Sequence, residues 1–263
     1  MHPRFPVNIT FLKEAASTME IGREMIPANA GKPFGVVAAV QTAGRGTGGR
    51  TWTSPKGNMY FTLCFPRSSK PPCFQEVVLP VLPLVCGLAA RRAVLEVLHL
   101  DVASAAPSIA AEAAKAVRTK WPNDIVFRQK KIGGTLIEEE GDYIVLGMGV
   151  NVEVAPPVTD AGRASSTVND IADTFGVRHV EVNDLAKAIW VHFFDICNAA
   201  ETTHASVVAE FDAVMDKSLK LHKRTPDGRD PEELTAVSLN DWGHLKVRHA
   251  DGKTEELSAN YFF

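Results

Sequence analysis

The chain has 263 residues, 45% hydrophobic and 22% charged, with a formal net charge of −3. This fits a globular protein of one large domain, or one with a small appendage, and excludes a globally basic nucleic-acid-binding surface. The four cysteines lack C-x-x-C spacing and the eight histidines form no metal-ligand pattern, which argues against a zinc site or a disulfide framework.

Ser17-Thr18-Met19-Glu20 has the form of a capping box, and it predicts a helix to about Ile26, stopped by Pro27. Gly35 to Val40 and Met59 to Phe65 read as strands. Between them lies Gly44-Arg45-Gly46-Thr47-Gly48-Gly49-Arg50-Thr51-Trp52, followed by Ser54-Pro55-Lys56-Gly57-Asn58. No acidic residue occurs between Glu24 and Glu76, whereas Lys32, Arg45, Arg50, Lys56, Arg67 and Lys70 are cationic. A glycine-rich loop lets backbone N–H groups approach a ligand, and arginines add charge-assisted donors. The region therefore suits an anion such as a nucleotide phosphate.

Gly44, Gly46 and Gly49 also satisfy G-x-G-x-x-G. That motif requires a following helix and an acidic residue about 20 positions on. Here helix breakers follow and the next acid is Glu76, so a dinucleotide fold is not supported. The Walker pattern is absent.

The uncharged run Val77 to Ala90 is too short to span a membrane and contains Pro80 and Pro83. The first residues lack a signal-peptide layout, so the cytoplasm is the expected location. Leu84 to Leu98 has helical periodicity, and the alanine-rich stretch 101–116 reads as a surface insertion, partly helical. Val117 to Trp121 and Ile125 to Phe127 are predicted strands flanking Pro122-Asn123-Asp124. Lys131 to Glu138 and Tyr143 to Val152 are two more, joined at Glu140-Gly141-Asp142, with a loop from Ala155 to Ala164. Asn183-Asp184 is a predicted cap for a helix from Leu185 to about Ala200, and Val207 to Met215 continues helical. Beyond Ser218, short alternating segments separated by turns such as Asp251-Gly252 predict a small β-barrel.

Three further segments carry chemistry. Lys120-Trp121-Pro122-Asn123-Asp124 sets an amide and a carboxylate on a proline turn, Lys131 precedes Gly133-Gly134, and Gly147-Met148-Gly149-Val150-Asn151 puts two glycines in a strand. Strand glycines mark close approach of a ligand or another backbone. Taken singly, Ser17 reads as a helix cap, Trp52 as core, Asn123-Asp124 as an Asx turn and Lys131 as part of a solvated charge run.

Together, in order, Ser17-Thr18, Gln41 through Asn58, Lys120 through Glu138 and Gly147 through Asn151 resemble the biotin protein ligases. The resemblance implies a mixed α/β catalytic domain, related to class II aminoacyl-tRNA synthetases, over 1–216, and an SH3-like β-barrel over 217–263. It implies formation of biotinyl-5′-AMP from biotin and MgATP, then transfer to a lysine of a carboxylase's biotin carboxyl carrier domain. Ser17, Thr18 and Gln41 would bond the ureido ring. Gly44, Gly133, Gly134, Leu136 and Gly147 would line the bicyclic ring and valeryl chain. Arg45, Gly46 and Arg50 would hold phosphates and the acyl-adenylate. Trp52, Asn58, Asn123 and Asn151 would lie on the adenylate side. Lys131 would reach the biotin carboxylate and α-phosphate, and Asp124 would orient the acceptor lysine or help it lose a proton.

Two positions depart from the family pattern: Thr47 replaces a common arginine, and Met19 a common asparagine. Thr47 is expected to weaken retention of the adenylate or to shift that task to Arg45 and Arg50. The resemblance further implies no protein metal site beyond Mg2+ carried by ATP, no membrane, and a monomer or weak homodimer. A DNA-binding repressor is disfavoured because Ser17 leaves no room for a preceding helix-turn-helix. A lipoate ligase is the enzymatic alternative.

Overall fold

The computed structural model describes residues 6–68, 76–157, 164–225 and 228–258. Cys73, Lys70 and most of the loop expected over 155–164 lie outside the described residues. Seven strands form one mixed sheet: β1 (Ile9–Leu12), β2 (Phe34–Ala38), β3 (Met59–Pro66), β4 (Val117–Lys120), β5 (Asp124–Phe127), β6 (Lys130–Glu140) and β7 (Tyr143–Val150). Their order is β1-β2-β3-β7-β6-β5-β4. β1 runs parallel to β2 and every other neighbour is antiparallel.

β3 is buried at all eight positions, because both faces of the sheet are covered. One face carries α2 (Leu82–Val97) and α5 (Val182–Asn198). Phe61, Leu63 and Phe65 join Val85, Leu88, Trp190, Phe193 and Phe194 there in the main core. The other face carries α1 (Thr18–Met25), which rests on β2, β3 and β7 through Met19. By length and composition the stretch Val78–Val97 is apolar enough to cross a membrane, but it is 78% buried within this fold. It is the core helix of the molecule.

α3 (Pro107–Ala116) leads directly into β4 and buries Ala110 and Ala113, so much of the alanine-rich stretch is a regular helix packed on the sheet edge. Sequence reading overlooks β1 and α4 (Val168–Phe175). The latter carries both punctuation marks of a short helix: a Thr167–Asp170 capping box and Gly176 at φ 65° as its left-handed stop.

Two expected caps are corrected. Ser17 is the N-cap of α1 but makes no side-chain capping bond. The Glu20 carboxylate, needed to complete that box, is taken by Arg23 and Arg45 instead. Helix α5 starts earlier than expected, with Glu181 as N-cap, which leaves Asp184 inside its first turn.

After α6 (His204–Val214) the chain forms β8 (Lys220–Leu221), β9 (Arg224–Thr225), β10 (Gly228–Arg229), β11 (Leu234–Leu239), β12 (Leu245–Arg248) and β13 (Thr254–Leu257). β13-β12-β11-β8 make a four-stranded sheet and β9-β10 a separate pair. This tail is fastened to the body by directed bonds. Trp121 Nε1 donates to the Gly243 carbonyl at 2.9 Å, and the Leu239 amide donates to Asp212 Oδ1 at 2.8 Å.

Candidate active site

Strand register builds the floor of a groove on the α1 side of the sheet. Ala38, Tyr60, Gly149, Gly134 and Asp124 stand side by side across β2, β3, β7, β6 and β5. The adjacent row is Val36, Thr62, Gly147 and Leu136. Three of these floor positions are glycines, and other side chains lie close over them. A Cβ at Gly149 would come within 2.4 Å of the Trp52 indole. One at Gly147 would meet Met19 Sδ at 2.7 Å, and one at Gly134 would meet Lys131 Nζ at 3.1 Å. Gly133 differs: its Cβ would lie 2.9 Å from the Gly149 carbonyl, so its smallness serves close approach of β6 to β7.

One end of the groove is cationic. The β5–β6 pairing brings Asp124 beside Gly134 and returns Lys131 next to it. Asp124 Oδ1 bonds Lys131 Nζ at 2.8 Å and Oδ2 bonds Lys120 Nζ at 2.8 Å. Burial alone would raise the Asp124 carboxyl, but the two ammonium groups and their hydrogen bonds outweigh it and hold the carboxyl well below its usual range. A carboxylate held this way is a poor proton acceptor. Lys131 Nζ also lies 5.2 Å from the Trp52 ring centroid, a cation–π contact. The Trp52 Nε1 is buried without a hydrogen-bond partner in the protein.

A second wall is a chain of neutral donors and acceptors. Thr62 Oγ1 donates to Thr18 Oγ1 at 2.8 Å, and Thr18 donates to Gln41 Oε1 from its amide at 2.8 Å and from its hydroxyl at 3.0 Å. Gln41 Nε2 donates to Ser54 Oγ at 3.1 Å, and Ser54 closes onto the Trp52 carbonyl at 2.9 Å. Thr18 and Gln41, far apart in sequence from Leu136 and Gly147, are therefore joined through Thr62 to the row that holds them. Ser17 is nearly fully buried.

The glycine-rich loop is a small hairpin. Arg45 bridges Thr51, the Gly46 amide donates to the Arg50 carbonyl at 2.8 Å, and the Trp52 amide donates to the Gly44 carbonyl at 2.9 Å. Gly48 and Gly49, at φ 68° and 74°, make the tip that a side chain would strain. Arg50 Nε donates to the Thr47 carbonyl at 2.7 Å and its Nη2 to the Thr47 hydroxyl. The two loop arginines thus bond to protein acceptors in the structure: Arg50 to Thr47, Arg45 to Glu20 and Glu138.

The three asparagines named on the adenylate side bond main-chain groups. Asn58 Oδ1 accepts from the amides of Val152, Glu153 and Val154 at 2.9, 3.1 and 3.0 Å, and its Nδ2 donates to the Val154 carbonyl at 2.8 Å. Asn58 is 1% exposed, and its side chain fastens the segment after β7. Asn123 Nδ2 donates to the Thr135 carbonyl, and Asn151 Nδ2 to that of Ser166 at 3.2 Å. Sequence reading missed Tyr60, Thr62, Glu20, Glu138 and Arg23. For Thr62 a signal existed: the one aliphatic hydroxyl in the strand Met59–Pro66, on the same alternate face as Tyr60.

The family described as biotin/lipoate A/B protein ligase matches residues 14–152, which include every site residue named above except Glu153, Val154 and Ser166. Over 97% of this chain and 100% of theirs, two solved structures of the biotin protein ligase from Leishmania major are similar. The complex with biotin has 64% identity and TM-score 0.82. The complex with biotinyl-5-AMP has 63% identity and TM-score 0.80. The human biotin–protein ligase is 31% identical over 150 residues, a match that takes in 55% of this chain and 18% of that protein. The biotin–[acetyl-CoA-carboxylase] ligase of Paracoccus denitrificans is 30% identical over 163 residues, 57% of this chain and 56% of that protein. The chain belongs to the biotin/lipoate A/B protein ligase family.

Proposed function

We propose that this protein activates biotin with ATP and transfers it to a lysine of a biotin-dependent carboxylase's carrier domain. In the first step a biotin carboxylate oxygen attacks the α-phosphorus, and pyrophosphate leaves. In the second the lysine amine attacks the acyl carbon, AMP leaves, and the amine loses a proton as the amide forms. The observation that carries this reading is the meeting of Lys131 and Trp52 over Gly134 and Gly149, beside the neutral wall of Thr18 and Gln41. A neutral donor–acceptor wall suits a ureido ring, and an ammonium suits two anions that must approach each other. The whole-length likeness to a ligase solved with biotinyl-5-AMP supports the same chemistry.

Lys131 would bind both the carboxylate and the α-phosphate. Arg45 and Arg50 would serve phosphates once they exchange their protein acceptors. The groove's cationic and amide donors fit phosphate oxygens, while Asp124 is already shared by two ammonium groups. Mg2+ would therefore be carried on the nucleotide's phosphates. The reading makes the protein a cytoplasmic monomer or weak homodimer that acts on a carrier protein, with the tail from 217 as an SH3-like barrel.

The test is pyrophosphate release with MgATP and either biotin or lipoate. Biotin-dependent release, followed by labelling of a carrier-domain lysine, is expected. Release that ignores biotin and responds to lipoate would replace this reading with a lipoate ligase.

A further inference from the structure

Arg45 is one of the two loop arginines that an anion in the groove would recruit, and it is held by carboxylates of two different elements. Its Nη2 lies 2.8 Å from Glu20 Oε1 on α1 and 3.1 Å from Glu138 Oε2 on β6. Arg23 binds the same two carboxylates: Nη1 meets Glu20 Oε1 at 2.8 Å and Nη2 pairs with Glu138. Its Nε also reaches Glu140 Oε2 at 3.2 Å. The two arginines are not equivalent. The Arg23 side chain is 19% exposed and that of Arg45 is 42% exposed. A shielded pair is weakened less by water and salt than an exposed one, so Arg23 is the fixed member and Arg45 the exchangeable one.

The geometry points to Glu20 and Glu138 as positioning residues that hold Arg45 through an exchangeable ion pair, in competition with the anion bound under the loop. The identity of that anion, a phosphate of ATP or of the acyl-adenylate, rests on the ligase reading above. A ligand shifts such an equilibrium only by its differential affinity for the two arrangements. Each carboxylate contact that Arg45 must leave therefore subtracts from apparent affinity for the anion. Arg23 works the other way, because its charge already partly satisfies the same carboxylates and loosens their hold on Arg45. Neutralising the carboxylates and neutralising Arg23 should have opposite effects on Arg45, whereas plain loss of stability would move both variants in one direction.

The first arm uses the full chain without substrates and measures tryptic cleavage after Arg45 relative to cleavage elsewhere. The Glu20→Gln/Glu138→Gln protein should be cut there faster, by about threefold to tenfold for two exposed pairs, and Arg23→Gln more slowly. The second arm measures dissociation of labelled biotinyl-adenylate, which should slow in the double variant and quicken in Arg23→Gln. Glu20→Gln alone, at a half-exposed carboxylate, provides the same signs if the double variant melts early. Equal cleavage in all proteins, or shifts of one sign, would overturn the positioning role. Failure of the unsubstituted protein to form or bind an adenylate would instead sink the ligase reading, and the cleavage arm would still report on the carboxylates.

Discussion

Lys131 and Asp124 are joined across the β5–β6 pairing, Nζ to Oδ1 at 2.8 Å, at the point where Gly134 leaves room for the ammonium. A Cβ at Gly134 would lie 2.8 Å from that same carboxylate oxygen. The contact aims one positive charge along the groove floor while a carboxylate holds it from behind.

Replacing Lys131 by Gln removes that charge from the reacting groups. Loss of such a stabiliser costs about 3–4 kcal/mol of barrier, or roughly a hundred- to thousandfold in rate. Asp124 keeps Lys120, so folding should change little. Biotin-dependent pyrophosphate release and a thermal melt check both halves. Near-normal adenylation by Lys131→Gln would remove the residue from the catalytic set.

Asp124→Asn should destabilise the protein by about 1–3 kcal/mol at neutral pH, because two partly shielded ammonium groups lose their counter-charge. The folded carboxyl lies below its unfolded value, so its contribution is complete above the ordinary carboxylate pKa and is lost as pH falls toward the folded one. Urea unfolding of both proteins should show a gap at pH 7 that narrows below about pH 4. A gap that persists undiminished into strong acid would mean that packing, not charge, is at stake.

Gly149→Ala forces its methyl group against the Trp52 indole, a large ring already in contact with Lys131. The indole should shift, with a tenfold or greater rise in the KM for ATP on the order expected from misplacing a binding group. Gly147→Ala meets only the flexible Met19 thioether and should cost less. Tryptophan fluorescence and ATP KM, compared between the two variants, test the assignment. Equal behaviour would show that Trp52 does not shape the nucleotide side of the groove.

Thr47→Arg adds a cation to the loop and removes the hydroxyl that accepts from Arg50. The adenylate should then leave more slowly, with less stray labelling of bystander lysines. The readout is the dissociation rate of labelled adenylate from the two proteins. Identical rates would mean that Arg45 and Arg50 already suffice.

In the tail, His249 sits between Glu232, 3.0 Å from Nδ1, and Glu255, 3.1 Å from Nε2. Hydrogen bonds to Glu232, then to Glu255, raise its pKa above the usual histidine value. With the folded pKa raised, the stabilisation is full below the unfolded value and disappears as pH rises through the folded one. An NMR titration of the His249 ring should give a midpoint above about 6.5. A midpoint at or below that value would dismiss the two carboxylates as partners in solution.

Most elements were legible because their causes are local. Near-continuous apolar runs predict β3 and β7, Pro27 stops α1, and Gly141 at φ 57° makes the turn between β6 and β7. The glycine loop and the lysine before Gly133-Gly134 were visible as chemistry for the same reason: glycine spacing and charge are written along the chain. The resemblance to the ligases rested on the order of such segments, and the mixed α/β architecture was what that resemblance implied.

Partnerships were not legible. Glu20 looked like half of a capping box, and only the fold brings Arg45 and Arg23 to it from either side. Asn58 looked like a ligand donor, and only the approach of residues 152–154 shows that its amide is consumed by backbone. The sequence by itself determined which groups are present and how each strand and helix turns its faces. Tertiary structure decided which charges meet, because a side chain bonds the nearest competing partner, and strand register sets that distance across residues remote in the chain.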